Sequence, residues 1–304
     1  MSHNIHSSPR ISIVTPSYNQ GDFIEDTISA VLSQNYPNLE YIIIDGGSYD
    51  HTLDVIKKYE QYLSYWISEP DNGQYNALNK GFAQSTGEIM GWINSDDKYL
   101  PWTFLTIAEI FSMFPEVEWL TSSYPIWLDK RGHPVGCSYF GGFNRDAFMK
   151  GANLPGREWY SRQAIQQEST FWRRSLWERS GSCLDTSIKV AGDYELWTRF
   201  FTHADLYALP VPLAGFRHHG NQKSVNQKEE YMIEAEKVLR GNGGKPYGMI
   251  QSILRKHLSY GFGFRPLSSL TPQLKTFLTY SKILYPVNLI TWAGNWNITT
   301  YYMI

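Results

Sequence analysis

The stretch Gly91-Trp92-Ile93-Asn94-Ser95-Asp96-Asp97 carries an apolar run, Ile89 to Ile93, straight into two adjacent carboxylates. A short apolar run reads as a buried strand, and its carboxyl end is where open α/β sheets bind ligands. Two clustered acids at that edge are hard ligands suited to Mg2+ or Mn2+ beside a phosphate. The same acids can instead cap a following helix, since Pro101 suits a first helical turn. Other candidates share the pattern. Asp45 ends the apolar run Tyr41 to Ile44 and is followed by Gly46-Gly47, where the backbone can approach a base or ribose closely. Asp71 follows the run Leu63 to Ser68. Glu168, beside Gln167, either binds a sugar hydroxyl or pairs with Arg173 or Arg174. Asp193 heads the amphipathic segment of Leu196, Trp197, Phe200 and Phe201, where by itself it reads as an N-cap.

The elements that must position these groups alternate. Ile11 to Thr15 is β-branched, Pro16 to Gly21 is turn chemistry, and Ile24, Ile28, Val31 and Leu32 recur at helical spacing, which together open a Rossmann-like unit. The turn has neither G-x-G-x-x-G nor a Walker lysine, so dinucleotide binding and P-loop chemistry lose support. Asp50 is expected to cap the helix of Leu53, Ile56 and Tyr59, and Gly81 and Gly87 to stop the helix that begins near Tyr75. Right-handed crossovers then bring Asp45, Asp71 and Asp96 to one sheet edge. Lys80 is either a surface cation or a diphosphate contact. Further strands are expected at Trp119 to Ser122 and Leu206 to Leu209, with Gly132-His133-Pro134 turning a hairpin. Arg145, Arg157 and Arg162 are surface cations or contacts for an anionic acceptor.

A 304-residue chain with 42% hydrophobic and 18% charged residues is globular. Its net charge of -2 gives no general attraction to nucleic acid, and none is expected as a partner. Cys137 and Cys183 match no metal spacing, and a reducing compartment fits. Residues 1–10 read as a disordered start without a signal peptide, so a cytoplasmic location is expected, at most against the inner membrane face. Most of the 11 Trp and 21 Tyr are expected in the core, with a minority left as platforms for sugar rings. From Gln227 the pattern is helical, and the apolar tail Phe277 to Ile304 lacks the roughly 18 apolar residues of a membrane span. That tail docks on the catalytic domain, forms a homodimer contact, or lies peripherally on a membrane, in that order of preference.

Six blocks taken in order resemble family 2 glycosyltransferases of the GT-A fold. They are Thr15-Pro16-Ser17-Tyr18-Asn19; Ile44 to Asp50; Glu69 to Gly73 running into Asn79-Lys80-Gly81; Asn94 to Asp97; Gln167 to Trp172; and Ala191 to Trp197. Each block is weak alone, and their common order makes the set specific. The resemblance implies an α/β fold with a Rossmann-like, mostly parallel sheet flanked by helices. A GT-A domain spans 11–226, with a nucleotide-binding half at 11–114 and an acceptor half at 115–226, and a helical extension follows at 227–304. It implies that Asp45 contacts the nucleobase, that Thr15, Pro16, Tyr18 and Asn19 line the nucleoside pocket, and that Asp71 lies against base or ribose. Further substrate contacts are implied for Gln74, Asn79, Lys80, Asn94, Ser95, Asp97, Gln167 and Glu168. Asp96 is the implied metal ligand, with a divalent cation, Mn2+ or Mg2+, as cofactor. His218 or His219 is either a further ligand or a surface histidine, and Lys223 is a phosphate contact or a surface cation. Asp193 becomes the catalytic base. Two departures stand out: Asn94 replaces the acid common at that place, and Gly192 replaces the glutamate many relatives carry before the base.

The implied activity is inverting transfer from a nucleotide-diphosphate sugar, UDP-linked by family weight, to a carbohydrate or lipid-linked acceptor hydroxyl, in polysaccharide or glycan synthesis. A nucleotidyltransferase acting on sugar phosphates and a non-catalytic nucleotide or carbohydrate binder are the alternatives. The first loop, without a basic residue, speaks against the former, and the presence of both Asp96 and Asp193 against the latter.

Overall fold

The computed structural model describes residues 8–154, 164–220, 222–248, 251 and 285–303. The β-branched runs form strands because they are covered on both faces, as parallel sheets require. Ile11–Ser17 (β1) is buried at every position, as is Ile89–Trp92 (β4). Leu39–Asp45 (β2) and Tyr65–Ser68 (β3) extend the sheet beyond β1. The helices between them are Gly21–Leu32 (α1), Thr52–Tyr59 (α2) and Gln74–Gln84 (α3). The pairs β1–β2, β1–β4 and β2–β3 are all parallel, so their carboxyl ends share one edge.

Downstream, Lys98–Tyr99 (β5), Thr103–Met113 (α4), Trp119–Ser122 (β6), Ile126–Leu128 (β7) and Pro134–Cys137 (β8) lead to Arg145–Met149 (α5) and Phe171–Arg173 (β9). Arg174–Arg179 (α6), Gly192–His203 (α7), Tyr207–Leu209 (β10) and Ala214–Arg217 (β11) follow. Lys223–Asn226 (α8), Lys228–Gly241 (α9), Tyr285–Trp292 (β12) and Trp296–Met303 (β13) complete the described elements. The main sheet runs β13-β12-β10-β6-β9-β4-β1-β2-β3, and a smaller one runs β5-β11-β7-β8. Among the described strands of the main sheet, only β9 against its two neighbours and the β12–β13 hairpin are antiparallel.

An aromatic core fixes α7 against the sheet. Trp92 and Trp197 stack at 5.9 Å, Trp119 and Trp197 at 5.6 Å, and Phe200 packs on Trp172 and Trp119. All are essentially buried, so the core takes up these tryptophans as the composition led us to expect.

Several expectations are corrected. Gly81 does not stop α3 but lies inside it, because a Cβ there would overlap Val14 and the helix must pass close to β1. Asp96 and Asp97 cap no helix, since α4 starts only at Thr103 and its N-cap residue, Trp102, makes no side-chain cap. The extension is helical over Lys228–Gly241, but its tail is a hairpin in which β12 pairs parallel to β10. Alternating Val287, Leu289 and Tyr285 are buried there, a period of two that the interruptions by Pro286 and Asn288 obscure. The tail thus docks on the catalytic sheet. Residues 8–10 are also anchored: Asn38 Nδ2 donates to the Ser8 carbonyl and Arg10 pairs with Glu40 at 3.1 Å. Residues 1–7, Arg157, Arg162 and the helical pattern at Ile253 to Leu258 lie outside the described residues. Among those described, no helix is long and apolar enough to cross a membrane.

Candidate active site

A cleft of ≈ 900 Å³ opens at the carboxyl edge of the sheet. The loop after β1 contributes Pro16, Ser17 and Tyr18, the loop after β2 contributes Gly46 and Gly47, and Asp71 and Gln74 come from the entry to α3. Asn94, Ser95 and Asp96 follow β4, while Gln167, Glu168 and Asp193 close the other side. Carboxylates nearly 100 residues apart in the chain therefore share one cavity.

In the acidic loop the two aspartates face different ways. Asp96 Oδ2 lies 2.9 Å from His219 Nε2, and the His219 ring, 2% exposed, packs against Phe23 at 4.4 Å. Asp97 is buried: its Oδ1 accepts the Arg217 amide at 2.9 Å and its Oδ2 accepts Asn94 Nδ2 at 3.3 Å. Burial, then the neighbouring Asp96 and Glu168 charges, push the Asp97 carboxyl well above the usual range. The Arg217 guanidinium underpins the loop, donating to the Asp96 carbonyl at 2.6 Å, the Lys130 carbonyl at 3.1 Å and Asp26 Oδ2 at 3.0 Å. Asn94 accepts from Gln74 Nε2 at 2.7 Å and donates to Gln167 Oε1 at 3.3 Å, so its amide ties the two walls together.

The Asp96–His219 pair fits a divalent cation. Two adjacent ligands of an octahedral ion at about 2.1 Å would stand about 3 Å apart, close to the spacing of these donors. Among the described residues no three His, Cys, Asp or Glu side chains gather around a metal position. The remaining donors would then be diphosphate oxygens and water, as is usual for Mg2+-type sites.

Asp193 sits in the first turn of α7, two residues past the N-cap position, which is Ala191. Its Oδ1 accepts the Tyr194 amide at 2.8 Å and the Tyr231 hydroxyl at 2.9 Å, and burial raises the carboxyl to about 6. Gly192 donates its amide to the Tyr75 hydroxyl at 2.8 Å, and a Cβ on it would lie 2.5 Å from the Tyr75 ring. The ring of Tyr75 thus fills the space that a glutamate side chain before Asp193 would enter. Glu168 is buried with Oε1 unpartnered, and burial raises it to about 8. It does not pair with the nearby arginines, because Arg173 binds Glu88 at 2.8 Å and Arg174 the Gly87 carbonyl at 2.8 Å.

Other expected site residues are engaged elsewhere. Asp45 is fully buried and accepts the Gly47 and Ser48 amides and the Ser48 and Ser68 hydroxyls, at 2.6–3.1 Å, and it does not line the cleft. It shapes the Gly46-Gly47 floor instead. Thr15 is buried against the Tyr41 hydroxyl at 3.1 Å. Asn19, in a left-handed conformation at φ 51°, accepts the Tyr49 amide at 3.0 Å and is a turn residue. Asn79 exchanges two hydrogen bonds with the Leu184 backbone, and Lys80 pairs with Glu69 at 2.7 Å. His218 is exposed, edge-on to Phe216, because its neighbour His219 takes the inward direction. Asp97 belongs to the scaffold beneath the cleft. Lys223 does line the cleft.

Sequence reasoning did not single out Arg217, Tyr75, Tyr231, Trp127 or Phe216. An arginine closing the strand Ala-Gly-Phe-Arg beside two histidines was a usable sign for Arg217. Tyr231 had none, since its role depends on where α9 packs. Trp127 and Phe216 are register partners on parallel strands β7 and β11, and both line the cleft.

Residues 12–113 match the family model "Glycosyl transferase family 2". An uncharacterized glycosyltransferase of Rickettsia prowazekii is 26% identical over 234 residues, covering 76% of this chain and 71% of the relative. Among solved structures, S. aureus TarS 1-349 in complex with UDP-GlcNAc superposes with a TM-score of 0.60 at 16% identity, over 89% of this chain and 79% of that one. The mannosyltransferase PcManGT of Pyrobaculum calidifontis, in complex with GDP-Man and Mn2+, gives a TM-score of 0.52 at 17% identity, over 91% of this chain and 83% of that one. Together these likenesses place a segment matching family 2 glycosyltransferases at residues 12–113, within an α/β fold shared with GT-A-type transferases.

Proposed function

We propose that this enzyme transfers a sugar with inversion from a nucleoside-diphosphate sugar, UDP-linked in the favoured case, to a hydroxyl of a carbohydrate acceptor. The observation that carries the reading is the shared cleft of Asp96, with His219 at its side, and Asp193. Asp96 and His219 would hold a divalent cation, whose charge would stabilise the leaving diphosphate. Asp193 takes the acceptor proton as the acceptor oxygen forms its bond to the anomeric carbon, while the bond to the diphosphate breaks and its electron pair leaves with the nucleotide. A carboxyl held at about 6 is ionised at neutral pH yet more basic than an exposed aspartate. Glu168, held at about 8, keeps its proton at neutral pH, which disfavours it as the nucleophile of a double displacement and suits it to donate to a sugar oxygen. Trp127 and Phe216 offer apolar faces to the acceptor ring.

A thermal-shift screen of UDP, GDP, dTDP and CMP with Mn2+ or Mg2+ selects the nucleotide. Calorimetry with that nucleotide is expected to lose its Mn2+ dependence in Asp96→Ala. Asp193→Asn is expected to lower turnover by about 10²–10⁴-fold while leaving nucleotide affinity within about two-fold. Normal turnover by Asp193→Asn removes the base assignment.

A further inference from the structure

We propose that α9, beyond the segment that matches the family model, completes the catalytic apparatus: Tyr231 is a positioning residue for Asp193, and Glu234 holds the turn that carries it. The inference rests on the assignment of Asp193 as the base.

The first amides of a helix have no intrahelical partners and need acceptors from outside. At α7 the cap residue is Ala191, which has no side-chain oxygen. The Tyr75 hydroxyl takes the Gly192 amide, and Glu234, 43–45 residues downstream, holds the turn that leads into the helix. Its Oε2 accepts the Val190 amide at 2.9 Å and the Ala191 amide at 3.1 Å, and its Oε1 the Lys189 amide at 3.0 Å. A carboxylate there also opposes the positive end of the helix dipole. Tyr231 precedes Glu234 by three residues and so shares its face of α9. Its hydroxyl donates to Asp193 Oδ1 at 2.9 Å, and its side chain lines the cleft. Ala235 and Leu239, both fully buried, anchor the helix in the same core that holds Trp197.

One helix face therefore sets both the end of α7 and the orientation of the carboxylate. With Oδ1 held by Tyr231 and by the Tyr194 amide, Oδ2 is the oxygen left to receive the proton. A phenol donating to the carboxylate also favours its charged form. The other titratable groups around Asp193 are Tyr75 from α3, Glu168 from the turn before β9, its neighbour Tyr194, and Glu234 and Lys228 from α9. Burial opposes the charged form of Asp193, and the Tyr194 amide and the Tyr231 hydroxyl offset it.

The test compares wild type, Tyr231→Phe, Glu234→Gln and Asp193→Asn. Nucleoside-diphosphate release is read from UDP-glucose, UDP-N-acetylglucosamine and GDP-mannose, each with Mn2+, across pH. Tyr231→Phe is expected to lower kcat about ten-fold, leave the donor KM within about two-fold, and move the acid limb of the profile up by about one pH unit. Glu234→Gln is expected to lower kcat in the same direction without moving the limb as far. Carboxyl ¹³C NMR, with Asp193→Asn to assign the resonance, reads the same rise in Tyr231→Phe without any donor. A Tyr231→Phe protein whose acid limb and Asp193 titration match wild type overturns the proposal. An active Asp193→Asn protein instead overturns the base assignment on which it rests.

Discussion

Arg217 bears the loop that carries Asp96, the proposed cation ligand, and removing its side chain tests whether that loop is built as described. In Arg217→Ala the carbonyls of Asp96 and Lys130 lose charged donors at 2.6 and 3.1 Å, within a site where Arg217 is 1% exposed. Each is worth about 1–1.5 kcal/mol. The ion pair to Asp26 adds less, because Asp26 is 47% exposed and solvent screens it to below about 1 kcal/mol. The guanidinium also lies 5.3 Å over the Phe23 ring, and losing this packing costs about 1 kcal/mol. The sum is about 3–5 kcal/mol, or a fall in Tm of about 5–10 °C. With its carbonyl released, the Asp96 loop is free to carry the carboxylate away from His219, so Mn2+-dependent nucleotide affinity is expected to fall by about ten-fold or more. Denaturant unfolding and titration calorimetry measure the two effects. Arg217→Lys keeps the charge but not the fork and is expected to recover less than half of either. Arg217→Ala within about 0.5 kcal/mol of wild type, with unchanged nucleotide affinity, would refute the reasoning.

Glu168→Gln is expected to stabilise the ligand-free protein in a pH-dependent way. The carboxyl titrates near 4.5 when unfolded and at about 8 when folded, so below the lower value both states are protonated and no penalty exists. The penalty grows as pH rises between the two values and is complete above about 8; the gain from glutamine should follow the same window in unfolding curves. Asp45→Ala separates a scaffold from a base contact. Losing the acceptor of two amides and two hydroxyls is expected to cost about 3 kcal/mol or more in urea unfolding. A nucleobase contact would instead lower affinity at unchanged stability.

Local pattern carried much of this protein. The runs Ile11 to Thr15, Tyr41 to Ile44 and Ile89 to Ile93 read as strands because a buried parallel strand is apolar throughout, and a chain's own composition records that. The parallel order then brings Asp71 and Asp96 to one edge, because right-handed crossovers leave few topologies. The β12–β13 hairpin escaped because its buried positions alternate among Pro and Asn, and its partner β10 lies far upstream. A strand's identity depends there on the sheet it joins.

Residue types at sheet edges were legible from the chain alone; the direction each side chain faces was not. Asp45 and Asp96 both end apolar runs, yet four donors from its own loop and β3 turn Asp45 inward, while Arg217 and His219 turn Asp96 outward. At Gly192, before Asp193, the ring of Tyr75 occupies the place of a side chain. Tyr231 and Glu234 gain their roles only through the packing of α9 on α7. Hydrogen bonds across long chain separations leave no periodicity in sequence, because either partner is an ordinary polar residue until folding brings the other within about 3 Å.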